Sequence, residues 1–257
     1  MSSPIQTWGE FRSAWGGVHN FLLAGECNPI TYTTPPLERV VDEIRRDPEA
    51  RITPGIPGSR LDLRDFSAMF LEKDIEQALQ EPFGLAHFKI AKFDTPGGCL
   101  EGMIDGVLNV WKEALTSVGF AFDRCYPIVF VSGPRSATNY HMDFSHVLAW
   151  QAIGSKTFCG LEDPDRWADR EQRLAYRAGK IDRPSGLTDD EALCFEMNPG
   201  SLLWNAFLTP HWVETGNEAA MSINISHGGL RLHGELCRNE DQLRAVRGSD
   251  QVEAPGY

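Results

Sequence analysis

From residue 126 onward the chain alternates short apolar runs with Gly, Pro or Asn breaks, a rhythm that predicts β-strands. The runs fall at 126–131, 140–144, 147–153, 156–161, 193–197, 201–205, 211–215 and 220–226. Their number and spacing imply a mainly β protein with flanking helices, arranged as a double-stranded β-helix, or jelly roll. Between them, 164–179 carries a helical pattern rich in Arg, Asp and Ala, and 182–191 reads as a polar loop able to cover the mouth of the barrel.

The first half has a different period. Apolar residues spaced three and four apart predict helices over 7–23, 37–46 and 65–80, with a further amphipathic helix over 101–118. Segment 85–93 resembles a strand and 94–98 a turn. The breaker-rich segment 48–58, with two Pro-Gly pairs, reads as a surface connector, an active-site lid being the alternative. Residues 1–257 are therefore read as one domain, with a helical region over about 1–120 and a jelly-roll core over about 121–232.

Composition narrows the partners. With 257 residues and 42% hydrophobic content the chain can bury a full core. A net charge of −12 argues against a nucleic-acid backbone as ligand, and Arg45-Arg46 reads as the solvated side of an amphipathic helix. No apolar run approaches the ~20 residues that span a bilayer, and no charged-then-apolar leader is visible, so a soluble cytoplasmic protein is expected. The six cysteines form no Cys-x-x-Cys pair and are expected to be reduced, mostly structural thiols.

The chemistry concentrates in Thr138-Asn139-Tyr140-His141-Met142-Asp143. On an extended strand the side chains of His141 and Asp143 point to one face, so the pair can grip one metal ion. His211, after the stiffening Pro210, supplies a third ligand from a distant run. Two imidazoles and one carboxylate occupy one face of an Fe(II) octahedron and leave three positions open. Lys156 follows Gly154, and a hairpin across Gly154-Ser155 would return it toward the metal end of the sheet, where its charge could hold a dicarboxylate with help from the Thr138 hydroxyl. His146 falls out of phase with Asp143, and His227 and His233 have no carboxylate at matching spacing, so none joins the metal set. Trp150, Trp204 and Trp212 are read as packing residues more readily than as pocket walls, and Arg135 as either a substrate contact or a loop ion pair.

Taken together, Thr138, His141, Asp143, Gln151, Gly154, Lys156, Pro199, Gly200 and His211 resemble the motif set of the Jumonji-C branch of cupin-like Fe(II)/2-oxoglutarate oxygenases, in particular the hypoxia-inducible-factor asparaginyl hydroxylase group. The resemblance spans roughly residues 126–228. It implies that His141, Asp143 and His211 bind Fe(II) and form the catalytic set, and that Thr138 and Lys156 bind the far carboxylate of 2-oxoglutarate, with Asn224 nearby. It also implies O2 as second cosubstrate and oxidation of a substrate C–H bond, by hydroxylation or by desaturation or ring closure. Where that group carries Tyr or Trp before the distal His, this chain has Leu208-Thr209-Pro210. An amino-acid-like small molecule or a peptide is the expected substrate; a protein side-chain hydroxylase and a non-catalytic metal-binding cupin are the alternatives.

Overall fold

The computed structural model describes residues 3–176 and 183–248. Thirteen strands occur among them: β1 (Phe21–Leu23), β2 (Arg51–Thr53), β3 (Gly84–His87), β4 (Phe120–Ala121), β5 (Arg124–Ser132), β6 (His146–Ile153), β7 (Lys156–Leu161), β8 (Ala192–Met197), β9 (Leu202–Asn205), β10 (Trp212–Thr215), β11 (Ala220–Gly228), β12 (Arg231–Leu232) and β13 (Glu235–Leu236). The α-helices are α1 (Trp8–Ala14), α2 (Leu37–Arg45), α3 (Leu63–Glu72), α4 (Ile75–Ala78), α5 (Val110–Ser117), α6 (Pro164–Trp167), α7 (Arg170–Ala175) and α8 (Arg238–Arg247). A seven-stranded sheet in the order β1-β9-β6-β11-β5-β3-β2 faces a three-stranded sheet, β10-β7-β8, and a small β13-β12-β4 sheet stands apart. This is the mainly β jelly roll with flanking helices that the strand rhythm predicts.

Strand β11 shows how the sequence decides the two faces of the large sheet. Met221, Ile223 and Ile225 alternate with Ser222, Asn224 and Ser226. The apolar set joins the main core, which includes Phe11, Val40, Val41, Ile44, Trp111 and Leu115 from the helices. Fully burying such a side chain contributes roughly 1.5–3 kcal/mol. The polar set faces the smaller sheet, since the Ser222 hydroxyl meets the Lys156 ammonium coming from β7. The helices thus seal the outside of the large sheet and leave a partly polar interior between the two sheets.

Several expectations change. The N-terminal region also supplies strands: the chain leaves α1 at Ala14 and enters β1 by Phe21, which pairs with Trp204 of β9. Within 48–58, Arg51–Thr53 is the outer strand of the large sheet, paired with β3. Segment 101–118 begins as a π-helical turn, Ile104–Asn109, before α5. Arg46 is exposed as expected, but Arg45 is buried, where it pairs with Asp42 and donates to the carbonyls of Phe70 and Lys73, tying α2 to the end of α3.

The expected hairpin across Gly154-Ser155 does not form. Strand β6 already pairs with β11 on one edge and β9 on the other, so β7 has no edge to join and crosses to the smaller sheet. Reduced cysteines are also overturned for one pair. Cys159 and Cys194 are opposite each other across β7 and β8 and form a disulfide, with Cα atoms 4.0 Å apart. No helix among the described residues is long and apolar enough to cross a membrane.

Candidate metal centre

His141, Asp143 and His211 come together at one end of the space between the sheets, their ligand atoms all within 4.8 Å of one another. Segment 140–144 is not a ladder strand; it touches its neighbour through a single bridge in which His141 and His211 exchange both backbone hydrogen bonds, at 3.0 and 2.9 Å. That bridge sets the imidazoles side by side, with ring centroids 4.2 Å apart. Asp143 stays on the same side as His141, as the two-residue period requires.

Each ring is then oriented by a hydrogen bond at its far nitrogen. Nδ1 of His141 lies 2.7 Å from the carbonyl of Asn139, and Nδ1 of His211 lies 2.9 Å from that of Thr209. A carbonyl only accepts, so both Nδ1 atoms carry the proton and both Nε2 atoms present a lone pair. These face Asp143, at 3.9 Å from Oδ1 for His141 and 3.5 Å from Oδ2 for His211. Such distances are too long for direct hydrogen bonds and suit three ligands arranged about a shared ion. Burial, then the neighbouring His141, pushes the His211 imidazole down to about 4, which keeps it neutral and available as a ligand. His211 is 4% exposed while His141 and Asp143 are each 30% exposed, so the cluster is walled on one side and open on the other.

Three residues to which sequence reasoning assigns no supporting role at the site hold this arrangement. Asn205, at the end of β9, donates to Oδ2 of Asp143 at 3.1 Å. Phe158 stacks on His211, 5.0 Å between centroids and 9° between planes. Leu208 adopts φ 56° within the turn between β9 and His211 and donates its amide to the carbonyl of Asp143. A left-handed leucine costs about 1–3 kcal/mol and persists only where its surroundings enforce it. Of the three, only Phe158 carried a signal: it stands two residues from Lys156 on β7 and so shares its face.

Lys156 projects between the sheets, 5% exposed, and donates to the Phe130 carbonyl at 3.1 Å and to the Ser222 hydroxyl at 3.3 Å. It has no carboxylate partner among the described residues, and burial pushes its ammonium down to about 7. Asn224 lies two residues from Ser222 on the same face of β11, and its Oδ1 is buried without a hydrogen-bond partner. Thr138 behaves differently: it is exposed, and its hydroxyl accepts the Val213 amide at 2.9 Å, bracing β10.

Other sequence candidates fall elsewhere. His146 is fully buried against Trp15, Trp204 and Phe207, which excludes a surface or substrate-facing position. His227 is buried and accepts the Trp111 indole N–H at 2.8 Å, while His233 is exposed. Trp204 and Trp150 belong to the core, and Trp212 packs on the outer side of the smaller sheet beneath Arg183. Arg135 is exposed and forms no ion pair among the described residues.

No protein-family model and no curated protein matches the chain. Solved structures of YcfD from Escherichia coli do share its fold. One superposes with a TM-score of 0.56 at 13% identity, covering 99% of this chain and 60% of the other. YcfD described as a ribosomal oxygenase in complex with cobalt and succinic acid gives a TM-score of 0.53 at 13% identity, covering 99% and 59%. The corresponding complex with cobalt and 2-oxoglutarate gives 0.52 at 14% identity, again covering 99% and 59%. The chain thus spans about three fifths of the length of these neighbours and shares their fold.

Proposed function

We propose that this chain is an Fe(II)- and 2-oxoglutarate-dependent oxygenase that hydroxylates a side chain of a polypeptide. The observation that carries the reading is the convergence of His141, Asp143 and His211 with both Nε2 lone pairs turned inward, in a fold shared with oxygenases solved with cobalt and 2-oxoglutarate. The polypeptide substrate is favoured over an amino-acid-like metabolite because those neighbours are described as ribosomal oxygenases. The likeness to asparaginyl hydroxylases rests on the sequence motif alone.

His141, Asp143 and His211 would hold the iron, which with 2-oxoglutarate and O2 supplies the oxidising power for C–H hydroxylation. The protein's part is to hold and exclude. Asn205 fixes one oxygen of Asp143, and Phe158 fixes the plane of His211, so the ligand set is preorganised. Lys156 is a buried ammonium with no counter-charge, suited to the far carboxylate of 2-oxoglutarate; Asn224, with its unmet Oδ1, can accept a hydrogen bond in the same interior. Thr138 contributes through β10 while its hydroxyl accepts from Val213, and retains its own proton for donation. The exposed side of His141 and Asp143 is the approach open to substrate.

The decisive test is anaerobic. Fe(II) and 2-oxoglutarate added together should give a visible metal-to-ligand charge-transfer band, and air with a ribosomal-protein digest should give more succinate than air with free amino acids. Absence of the band with iron bound would sink the oxygenase reading. Equal turnover on free amino acids would return the substrate to the metabolite class.

A further inference from the structure

Away from the metal centre, α7 and the first turn of α8 enclose a cleft of about 520 Å³ lined by Arg170, Arg173, Arg238, Asp165, Asn239 and Gln242, with Gly16-Gly17-Val18 as its remaining wall. Three guanidinium groups stand against one carboxylate there, a local excess of two positive charges in a chain whose net charge is −12. Arg173 is 4% exposed, and although its Nη2 pairs with Asp165, its Nε and Nη1 are buried without a hydrogen-bond partner. Leaving such donors unmet is costly, and because both nitrogens are closed off from solvent, an acceptor in the cleft would reach them once the side chain turns toward it.

The other walls point to the same ligand. Helix α8 is ten residues long, and its first amides, at Arg238 and Asn239, have no intrahelical acceptors, so its positive end is part of the lining. The helix can come this close because Gly16 has no side chain: a Cβ there would lie 2.9 Å from Cβ of Cys237. Arg170 is held across the cleft by Gln242, at 2.7 Å, and Asn239 is held by the Phe207 carbonyl, at 3.2 Å. The cavity is in the size range of small-molecule pockets and larger than one oxyanion needs.

We propose that this cleft binds a phosphate group, free or as the head of a phosphomonoester, through Arg170, Arg173, Arg238 and the N-terminal amides of α8. A dianionic phosphate balances the local charge and supplies enough acceptor oxygens for a guanidinium fork and helix amides together. The site is independent of the oxygenase reading and shares no residue with the metal centre.

Isothermal titration of the metal-free full chain, at fixed ionic strength, with inorganic phosphate, glycerol 3-phosphate and glycerol tests it. Saturable one-to-one binding of one or both phosphates, and none of glycerol, is expected. Arg173→Gln should weaken it by about tenfold or more. Because that side chain is buried, the exposed pair Arg170→Gln/Arg238→Gln provides a variant whose fold is checked by circular dichroism, with a similar loss expected. Lys89→Gln, on the far-off Glu49 ion pair, should bind as the parent does. Tighter binding of glycerol 3-phosphate identifies a phosphomonoester site, and equal binding a free-phosphate site. No saturable binding at millimolar concentrations, or binding unchanged in the folded Arg170/Arg238 variant, overturns the proposal.

Discussion

Of three clusters among the described residues that satisfy the same rule of ligand type and distance, two make an instructive pair. His141, Asp143 and His211 form one; His146, Cys237 and Glu240 form the other, also with ligand atoms within 4.8 Å. What separates them is the hydrogen bond at the far side of each histidine. In the first cluster both Nδ1 atoms face carbonyls and must donate, so Nε2 is a free lone pair. In the second, Nδ1 of His146 accepts the Phe207 amide at 3.2 Å, so Nε2 carries the proton and has no hydrogen-bond partner. Burial also pushes the Cys237 thiol up to about 12 and raises the Glu240 carboxyl. Residue types near one another do not make a metal site; backbone groups that set the tautomer do.

The sharpest way to break the comparison is to remove the carboxylate of the first cluster. Asp143→Ala should abolish Fe(II) binding and with it the charge-transfer band, while the thermal midpoint stays close to the parent's, since Asp143 is partly exposed. Anaerobic Fe(II) titration reads the outcome. Iron retained at full stoichiometry would mean that the wrong cluster has been assigned.

Next in size is the split between metal and cosubstrate. Lys156→Ala should keep its iron but raise the concentration of 2-oxoglutarate required, because a charge-assisted hydrogen bond contributes about 1.5–3 kcal/mol, on the order of tenfold to more than a hundredfold. Lys156→Arg should restore only part of this, since the planar fork does not fit where a point charge reaches both Phe130 and Ser222. Unchanged cosubstrate affinity in Lys156→Ala, with iron occupancy measured alongside, would detach Lys156 from the site.

Lys156 also fixes a pH dependence. Burial lowers its affinity for the proton, so above pH 7 the free protein holds it mostly neutral. A bound carboxylate favours the charged form, so binding must take up a proton, and apparent affinity must fall as pH rises through and beyond 7. From pH 7 to 8 the protonated fraction falls by about fivefold, and affinity should follow. Calorimetry of 2-oxoglutarate binding in buffers of different ionisation enthalpy measures the uptake directly. Zero uptake at pH 8 would show that Lys156 is already charged or is not the partner.

How much of this was legible beforehand depended on whether a feature is local. Strands β5 to β11 were readable because each alternates or runs apolar between breakers, as β11 does. Strands β1 and β2 were not, being three residues long and defined by partners far away in sequence, such as Phe21 opposite Trp204, whereas β3 is the first half of the strand-like segment 85–93. The Gly154-Ser155 link has the look of a hairpin, and only the occupancy of both edges of β6 excludes one. The Cys159–Cys194 bond likewise needs the register of β7 and β8, which separates the two by 35 residues in sequence. At the site, His141, Asp143 and His211 were legible from motif and phase. Asn205, Leu208 and the carbonyls that set both tautomers were not, because they act through geometry that no spacing encodes.

The smallest expected effect tests the other half of the comparison. In the second cluster Cys237 is the N-cap of α8, its sulfur 3.5 Å from the Glu240 amide, and it packs beside Gly16. Cys237→Ser supplies a better capping acceptor and loses a little apolar burial, so stability should move by no more than about 1 kcal/mol in either direction. Iron stoichiometry and the charge-transfer band should be unchanged, because a protonated thiol beside a neutral imidazole whose Nε2 carries the proton ligates nothing. The informative measurement is metal content per chain for the parent and Cys237→Ser proteins after loading with Fe(II) or with Zn(II). One tightly held ion in both keeps the two clusters distinct. A second ion in the parent that Cys237→Ser loses would show that the Phe207 hydrogen bond yields to a metal, and that the tautomer of His146 is a consequence of an empty site instead of its cause.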